Sequence, residues 1–470
     1  MMQIANVLAR FFCESNWSPL SPAPLPRPGE RGSLTLTGLA LLFLLGISGV
    51  AGAAEETTVQ LPAKTGSNAK WKGFVQSEVA YTMPSPAHGS KFNNQLELEG
   101  TGSFNENVKW KLGAAANYNA IYDLNNFYPD AVRDDQRAAV VARENYLDIS
   151  TGNLDFRLGR QHIIWGEVVG FFVADVVSAK DMREFLLPEF ELLRIPQWTA
   201  RAEYFKGDFH AEAIWVPVMS YDNIGKPGAE FYPYPPAAPA GYGYAIQNEK
   251  KPTRNLGNSA YGARLSYLLD GWDSSVFFYR SVDAAPTFYR EVVSAPTPAF
   301  VYTPQHDKIR QYGLSVSKEV SDTVLKLEAV LTQDRNYNVS RLDDADGVVR
   351  QNTFDYVIGA DFTLPRDTRL NAQFYQRVYQ GHDADIIPEA RESGVTLLLN
   401  TKLGQNWEPE ILIVRSLNRA ESMIRPKVKW RFAKDWRLAV GADWFSGPAT
   451  GFFGQYRNKD RVYAEVRRNF

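Results

Sequence analysis

Hydrophobic and polar residues alternate one by one over long stretches of this chain. In residues 367–379 the apolar side chains fall on one face of an extended segment and most of the polar ones fall on the other. The same period of two returns in residues 95–104, 325–331, 424–432 and 436–444. Because successive side chains of a strand point to opposite faces, this period predicts an all-β fold of about 18 strands, with about 16 as the lower bound.

The connections between these strands alternate in length. Short links with the residues of tight turns are expected at 105–107, 151–153, 206–208, 270–271, 319–322, 365–367, 404–406 and 433–435. Longer irregular stretches lie between them, at 83–91, 123–141, 166–195, 219–258, 284–305, 336–350, 381–393 and 447–455. Two inequivalent ends are typical of a transmembrane antiparallel β-barrel, which has tight turns at one end and long loops at the other.

Composition agrees with a barrel. The chain has 470 residues, 44% of them hydrophobic, and a mean hydropathy of −0.31. A barrel needs apolar residues only on its lipid face, so a modest hydropathy is expected. Outside residues 34–54 no stretch approaches the run of about 20 apolar residues that a spanning helix needs, which excludes a helical membrane protein. A soluble β-sandwich, whose strands also alternate, is the alternative.

The charge balance narrows the class of partner. The 51 basic residues nearly cancel the 53 acidic ones, so the chain has no overall positive field and nucleic acid is not an expected partner. Its single cysteine, Cys13, cannot form a disulfide within the chain. We expect no cofactor and no metal.

The first 54 residues have the parts of an export signal. Arg27 and Arg31 precede the apolar run at 39–47, and small residues around Ala51 and Ala53 follow it. This order is that of a secretory signal peptide. We therefore expect residues 1–54 to be a leader and signal that is removed, and residues 55–470 to be a single barrel domain. An N-terminal membrane anchor is the alternative.

The last strand points to the outer membrane of a Gram-negative envelope. It ends in Phe470, with Val462, Ala464 and Val466 on one face, and it resembles the C-terminal signature that the barrel insertion machinery of bacteria reads. Arg468 departs from that signature, where an apolar residue is usual. The expected partners are therefore outer-membrane lipids and this insertion machinery.

The face predicted to line the barrel carries a group of basic residues near the C-terminus. This basic wall consists of Arg425, Lys427, Lys429 and Arg431 on one strand, Arg437 on the next, and Arg461 and Arg467 on the last. Pairing with acidic residues across strands, which keeps the wall solvated, is one interpretation. A stripe that guides anionic solutes is the other.

One long loop is too apolar to lie in external water. It follows residues 157–167 and continues through the apolar residues 171–188, so we expect it to fold into the barrel as a constriction. A folded external cap is the alternative. Ser178-Ala-Lys-Asp181 approximates a capping box, which predicts a short helix ended by Pro188. The residues predicted to form the constriction or line the solute path are Arg157, Gln161, Trp165, Glu167, Asp175 and Arg201.

Several motifs around this loop resemble one family. They are Gly159-Arg-Gln161, Trp165-Gly-Glu167, Asp175, Pro188-Glu189, Arg194-Ile-Pro-Gln-Trp198 and Trp215-Val-Pro217. In them the chain resembles the bacterial DUF1302 family, most specifically over residues 150–230. The resemblance implies an outer-membrane β-barrel and envelope transport of hydrophobic or lipid-like compounds, with a periplasmic or inner-membrane exporter as partner. A weaker similarity in size and strand number links the chain to alginate-export porins, whose lumen is basic. Neither resemblance transfers a functional residue.

The predicted function is a porin-like channel for small or amphipathic solutes, either anionic or hydrophobic, that works with an exporter. A polysaccharide-export porin is one alternative. A barrel enzyme of the lipid-hydrolase type is the other, but the five histidines show no spacing typical of a nucleophile and base or of a metal site. We expect no catalytic residue.

Overall fold

The computed structural model describes residues 69–168, 172–294 and 297–470. The predicted leader and signal at 1–54 and Phe171 of the apolar loop lie outside the described residues.

The described residues are organised almost entirely as strands. The strands are β1 (Lys70–Thr82), β2 (His88–Ser103), β3 (Val108–Asn119), β4 (Ala138–Thr151), β5 (Leu154–Gln161), β6 (Ala179–Lys180), β7 (Arg194–Ile195), β8 (Gln197–Lys206), β9 (Phe209–Val218), β10 (Gly243–Ile246), β11 (Ala260–Leu269), β12 (Trp272–Val282), β13 (Thr287–Val293), β14 (Ala299–Gln305), β15 (Lys308–Val320), β16 (Thr323–Asn338), β17 (Val348–Leu364), β18 (Thr368–Gln380), β19 (Arg391–Thr401), β20 (Trp407–Ser416), β21 (Ser422–Ala433), β22 (Trp436–Ser446) and β23 (Arg461–Asn469). The α-helices are α1 (Ile121–Leu124), α2 (Asp130–Gln136) and α3 (Phe190–Leu193), and 3₁₀ turns lie at Leu256–Asn258 and Gly454–Tyr456. None of these helices is long and apolar enough to cross a bilayer.

Eighteen of the described strands form one closed antiparallel barrel, which confirms the predicted fold class and strand number. Each barrel strand pairs with the next one along the chain, and β1 pairs with β23 to close the cylinder. The closure is in register from Phe74 opposite Asn469 to Thr82 opposite Arg461. Strands β6 and β7 pair with each other, and β10, β13 and β14 form a small separate sheet.

The two ends of the barrel differ as the sequence predicts. All eight predicted turns join neighbouring barrel strands at one end. At Asp270-Gly271 both residues have positive φ, 50° and 77°, as a type I′ hairpin turn requires. At the other end lie the loops L1 (83–87), L2 (120–137), L3 (162–196), L4 (219–259), L5 (283–307), L6 (339–347), L7 (381–390), L8 (417–421) and L9 (447–460). L8 is a short loop that the sequence did not predict, and L1 is shorter than predicted.

The outer surface of the barrel is apolar. Mid-barrel side chains that are exposed on it include Leu265, Val276, Ile358, Leu397 and Val440. Exposed aromatic side chains lie near both ends: Trp71, Phe104, Trp272, Trp407 and Phe432 towards the turns, and Tyr81, Trp198, Trp215, Tyr261 and Trp444 towards the loops. An apolar band between two aromatic girdles is the surface of a transmembrane barrel.

The apolar loop L3 contacts inward-facing side chains of strands on different sides of the barrel. Glu328 of β16, Arg143 of β4 and Arg425 of β21 all bond to its backbone, so L3 lies across the interior. The prediction of a helix opened by Ser178 is wrong in its bounds, because residues 179–180 pair with β7 as strand β6. The short helix of this loop, α3, instead follows Pro188.

Candidate functional site

The base of L3 is fixed by one buried carboxylate on β16. Glu328 accepts hydrogen bonds from the backbone N–H groups of Glu167, Val168 and Ala174, the last two at 2.9 and 3.0 Å. Three amides on one carboxylate hold the backbone of the loop entry in a defined position. Glu167, predicted as a constriction residue, is therefore tied down through its main chain.

Trp165 packs into the wall below the loop. Its side chain is 1% exposed, and its ring centroid lies 5.1 Å from that of Phe277 and 5.9 Å from that of Tyr279. The indole Nε1 donates to Glu212 at 3.1 Å, and Arg201 pairs with the same carboxylate at 3.0 Å. A side chain with so little exposure anchors the loop and does not touch a solute.

The remaining predicted constriction residues also hold the loop base and its supporting wall. Gln161 is fully buried, and its amide donates to the carbonyl oxygens of Arg157 and Thr199, each at 3.0 Å. Arg157 pairs with Asp148 at 2.6 Å.

Asp175 is buried and accepts a hydrogen bond from Arg194 at 2.6 Å. None of the six residues predicted for the constriction lines either of the two cavities described below. The structure instead places them where they position L3, and a direct contact with a solute stays a prediction only for the partly exposed ones.

The tip of L3 meets the basic wall. Arg425 donates to the carbonyl oxygens of Leu186 and Leu187, at 3.1 and 2.6 Å, and its Nε donates to Asp443 at 2.7 Å. Asp443 also accepts from Arg461 at 2.8 Å. The wall thus supplies the donors that satisfy the backbone of the tip.

Two carboxylates of L3 face the same wall. Glu189 lies between Arg437 and Arg467, at 3.2 and 3.3 Å. Burial acts to raise the pKa of Glu189, but the two arginines outweigh it and lower that pKa. The carboxylate therefore stays ionised and offsets part of the positive charge of the wall.

Glu184 makes the second of these contacts. It accepts from Lys91 at 2.7 Å and lies 3.6 Å from Arg461. Burial acts to raise its pKa, but the charges of Lys91 and Arg461 outweigh burial and lower the pKa. L3 is therefore pinned electrostatically at two points along its tip.

Between the tip of L3 and strands β1–β4 and β21–β23 lies a cavity of about 190 Å³, the inner cavity. Among the described residues, nine basic and five acidic side chains line it. The basic ones are Lys91, Arg143, Arg183, Arg425, Lys427, Lys429, Arg437, Arg461 and Arg467, and the acidic ones are Glu78, Asp181, Glu184, Glu189 and Glu465. Six of the seven predicted wall residues lie on this cavity, whereas Arg431 is exposed nearer the turns.

Neighbouring β20 supplies acidic partners that the sequence did not reveal. Glu410 pairs with Lys427 at 2.9 Å and with Lys429 at 3.1 Å, and Glu408 lies 3.4 Å from Lys429. The pairing follows from the β20–β21 register, which sequence alone does not give.

Asp443, which pairs with Arg425 and Arg461, and Glu97, which lies 3.7 Å from Arg143, bring the carboxylates to nine, equal in number to the nine bases. These contacts agree with pairing across strands, and guidance of anionic solutes by the basic wall stays a prediction.

An apolar cluster separates the inner cavity from the space above it. The tip residues Phe185, Leu186 and Leu187 pack with a set of buried wall and loop residues, and we call the whole set the tip cluster. The other buried members are Phe231, Val414, Met423, Phe445, Phe453 and Tyr456. The tip of L3 is thus held by charge on its lower side and by apolar packing on its upper side.

The acidic segment at 343–347 is held by arginine side chains. Arg341 pairs with Asp344 at 3.1 Å and with Asp383 at 2.7 Å. Among the described residues there is no group of three or more His, Cys, Asp or Glu side chains placed to hold a metal ion.

Two solved structures from bacteria are similar to this chain at low sequence identity. OccAB1 of Acinetobacter baumannii is 10% identical, with 86% of this chain and 96% of that chain covered and a TM-score of 0.52. OpdK of Pseudomonas aeruginosa, solved with vanillate, is 8% identical, with 86% and 98% covered and a TM-score of 0.49. The similarity to OccAB1 shows a shared fold.

Sequence comparison gives a family. No curated protein matches this chain. The family model DUF1302, described as a protein of unknown function, matches residues 34–470. The chain therefore belongs to the DUF1302 family.

Proposed function

We propose that the protein is an outer-membrane channel that passes small anionic or amphipathic solutes through a passage narrowed by L3. The observation that carries this proposal is the position of the L3 tip, where Glu184 and Glu189 face basic side chains of β2, β22 and β23 across the inner cavity. A loop that lies across a wide barrel reduces the cross-section through which a solute moves.

The size and polarity of the barrel support a channel. Barrels of about 16 to 18 strands are too wide for their wall side chains to fill, which leaves an aqueous interior. The inward face here carries polar residues along adjacent strands, for example Gln76, Gln95 and Asn117. A solute can therefore replace some of its hydrogen bonds to water by hydrogen bonds to these side chains.

The charge of the inner cavity supports a preference for anions. Its lining has nine basic and five acidic side chains, and the four further carboxylates that pair with these bases, Glu97, Glu408, Glu410 and Asp443, lie outside the lining. The bases are therefore closer to the passage than these four acidic partners. A ring of one sign in a narrow passage raises the local concentration of the opposite ion. We therefore expect anions to pass more readily than cations of equal size.

The proposal is tested by reversal potentials of the purified protein in planar bilayers with a KCl gradient. The wild-type protein should conduct and should select chloride over potassium. The variant Arg437→Gln/Arg467→Gln should lose much of this selectivity, because it removes two charges from the lining.

The matched control is Arg254→Gln/Arg350→Gln, which removes the same charge from exposed positions outside the inner cavity. It should leave the reversal potential near the wild-type value. A barrel that inserts but carries no current would contradict the proposal, and so would a preference for potassium.

A further inference from the structure

A second cavity lies towards the loop end of the barrel, on the side formed by β16–β20. We call it the outer chamber; it has a volume of about 530 Å³. Loops L4, L5, L7, L8 and L9 contribute to its walls, and Val173 of L3 also borders it. A volume of this size is in the range of small-molecule sites, which span about 300–1,000 Å³.

The outer chamber and the inner cavity follow one another along the same wall. From the loop end, Ser416 lies on the outer chamber, Val414 and Met423 belong to the tip cluster, and Arg425 lies on the inner cavity. The chamber is therefore in front of the tip of L3 as seen from the loops. A solute coming from that end meets the chamber first.

Aromatic side chains from separate parts of the chain converge on this chamber. They include Tyr234, Phe288, Tyr337, Tyr375, Tyr379 and Phe452. Tyr234 and Phe452 come from L4 and L9, and they are 54% and 48% exposed although both are large and apolar. Exposed apolar side chains gathered around one cavity mark a binding surface.

The two arginines of the chamber are each paired with a carboxylate. Arg377 pairs with Asp355 through two bonds of 2.5 and 3.0 Å. Arg419 pairs with Glu392 at 3.1 Å. The third carboxylate, Glu421, is buried and accepts from the backbone N–H groups of Phe453 and Gly454 at 3.1 and 3.4 Å. The arginines of the chamber thus present closed ion pairs to a solute, in contrast to the mostly basic lining of the inner cavity.

Several uncharged polar groups are also engaged, although the buried hydroxyl of Tyr337 has no hydrogen-bond partner. Gln376 accepts from Tyr356 at 3.0 Å and donates to Ser393 at 2.7 Å, and Asn338 donates to the carbonyl oxygen of Gly347 at 3.3 Å. A sugar would need open donors and acceptors for its hydroxyl groups, because unpaired polar groups in a buried site cost free energy. An apolar ring needs only contact area.

We propose that the outer chamber is a binding site for an uncharged molecule built of aromatic or alicyclic rings. This inference rests on the proposed channel function, since the bound molecule is a solute, or the apolar part of a solute, that the channel admits. Rings stack between Tyr234 of L4 and Phe452 of L9 at the mouth, and the tip cluster forms the apolar end of the site.

The test is calorimetric titration of the full-length protein in lipid nanodiscs, with empty nanodiscs as the blank. The probes are 1-naphthol, which is uncharged, 1-naphthoate, which is anionic, and sucrose. The wild-type protein should bind 1-naphthol, and Tyr234→Ala/Phe452→Ala should weaken this affinity about tenfold, because each aromatic contact is worth about 0.5–1.5 kcal/mol.

The matched control is Tyr242→Ala, which removes an aromatic ring from the same loop at a position outside the chamber; it should bind 1-naphthol as the wild-type protein does. Unchanged far-ultraviolet circular dichroism verifies that each variant is folded. The inference is overturned if 1-naphthol does not bind, if the double variant binds it equally well, or if 1-naphthoate or sucrose binds more tightly. Binding can be measured without a current. A protein that binds 1-naphthol but does not conduct would therefore contradict the proposed channel function but not the proposed binding site.

Discussion

The inner cavity and the outer chamber lie in one barrel, yet they offer a solute opposite chemistry. In the inner cavity, more basic than acidic side chains line the space, and most of the bases come from β21, β22 and β23. In the outer chamber, Arg377 and Arg419 each have a carboxylate partner, and aromatic rings provide much of the remaining surface. The two spaces therefore differ in their lining, which is mostly basic in the inner cavity and largely aromatic in the outer chamber.

The difference depends on which strands are neighbours. Asp355 lies directly opposite Arg377 in the β17–β18 register, so this charge is cancelled within the wall. Arg437 and Arg467 are also directly opposite each other, in the β22–β23 register, and two cations side by side repel. Glu189, supplied by L3, reduces this repulsion. L3 thus both divides the two spaces and balances the charge of one of them.

Removing the tip of L3, which separates the inner cavity from the outer chamber, should have the largest effect. Replacing residues 182–188 by a short Gly-Ser linker removes Phe185, Leu186 and Leu187, the residues that L3 supplies to the tip cluster. The inner cavity and the outer chamber then become one space. Single-channel conductance should rise several-fold, because the narrowest cross-section is lost. As a control, deletion of residues 237–241 in L4, which line neither cavity, should change conductance little. An unchanged conductance in the first variant would show that L3 does not limit the current.

A second variant releases the base of L3 from the barrel wall without shortening the loop. In Glu328→Ala, three backbone amides lose their shared acceptor, a loss of about 3 kcal/mol in local stability. Trypsin should then cleave after Lys180 or Arg183 at least about tenfold faster than in the wild-type protein. Glu319→Ala, at an exposed position of β15, is the control. Equal protection in both variants would mean that other contacts hold the loop.

The sequence predicted the barrel well because its strands are specified locally. The alternating segment 95–104 coincides with the second half of β2 and extends one residue beyond it, and the Asp270-Gly271 turn has the backbone that its residue types favour. L8 was missed because a five-residue loop has no length that distinguishes it from a turn. The fold can therefore be predicted from short-range sequence patterns, and loops are missed where such a pattern is absent.

The candidate site was predicted less well because its contacts join distant parts of the chain. Trp165 was expected to face the passage, but its partners Phe277 and Tyr279 come from β12 and bury it. The capping pattern at Ser178 was overridden because Ala179–Lys180 pairs with Arg194–Ile195. Predicting either outcome requires the tertiary register and not the residue types alone.

Acid should loosen L4, one of the loops that line the outer chamber, because it protonates a carboxylate that holds this loop. Glu230 accepts from Thr82, Tyr128 and His88 at 2.8, 3.0 and 3.1 Å. Burial acts to raise its pKa, but the hydrogen bond from His88 and the charge of Lys459 outweigh it, and the pKa is about 2. Since the folded-state pKa is depressed from 4.5, the stabilisation is fully present above pH about 4.5 and is lost as pH falls through about 2.

Pepsin, which works in acid, provides the measurement. Wild-type L4 should resist cleavage at pH 4 and lose that resistance near pH 2, after correction for the rate on an unfolded substrate. Glu230→Gln should be cleaved at pH 4 about as fast as the wild-type protein at pH 2, because it lacks the charge at both values. If Glu230→Gln resists pepsin at pH 4 as the wild-type protein does, the carboxylate does not hold L4.

The smallest expected effect concerns the charge balance of the inner cavity. Glu189→Gln keeps the shape of the side chain but removes the negative charge between Arg437 and Arg467. The preference for chloride should increase about twofold, because one unit charge at about 10 Å in water is worth about 0.4 kcal/mol. Glu191→Gln, two residues further along in helix α3 and with an exposed side chain, is the matched control and should leave the reversal potential unchanged. The increase should shrink at high salt, because mobile ions screen the wall. A shift of equal size in both variants would mean that the overall charge of L3, and not the contact of Glu189 with the basic wall, sets the selectivity.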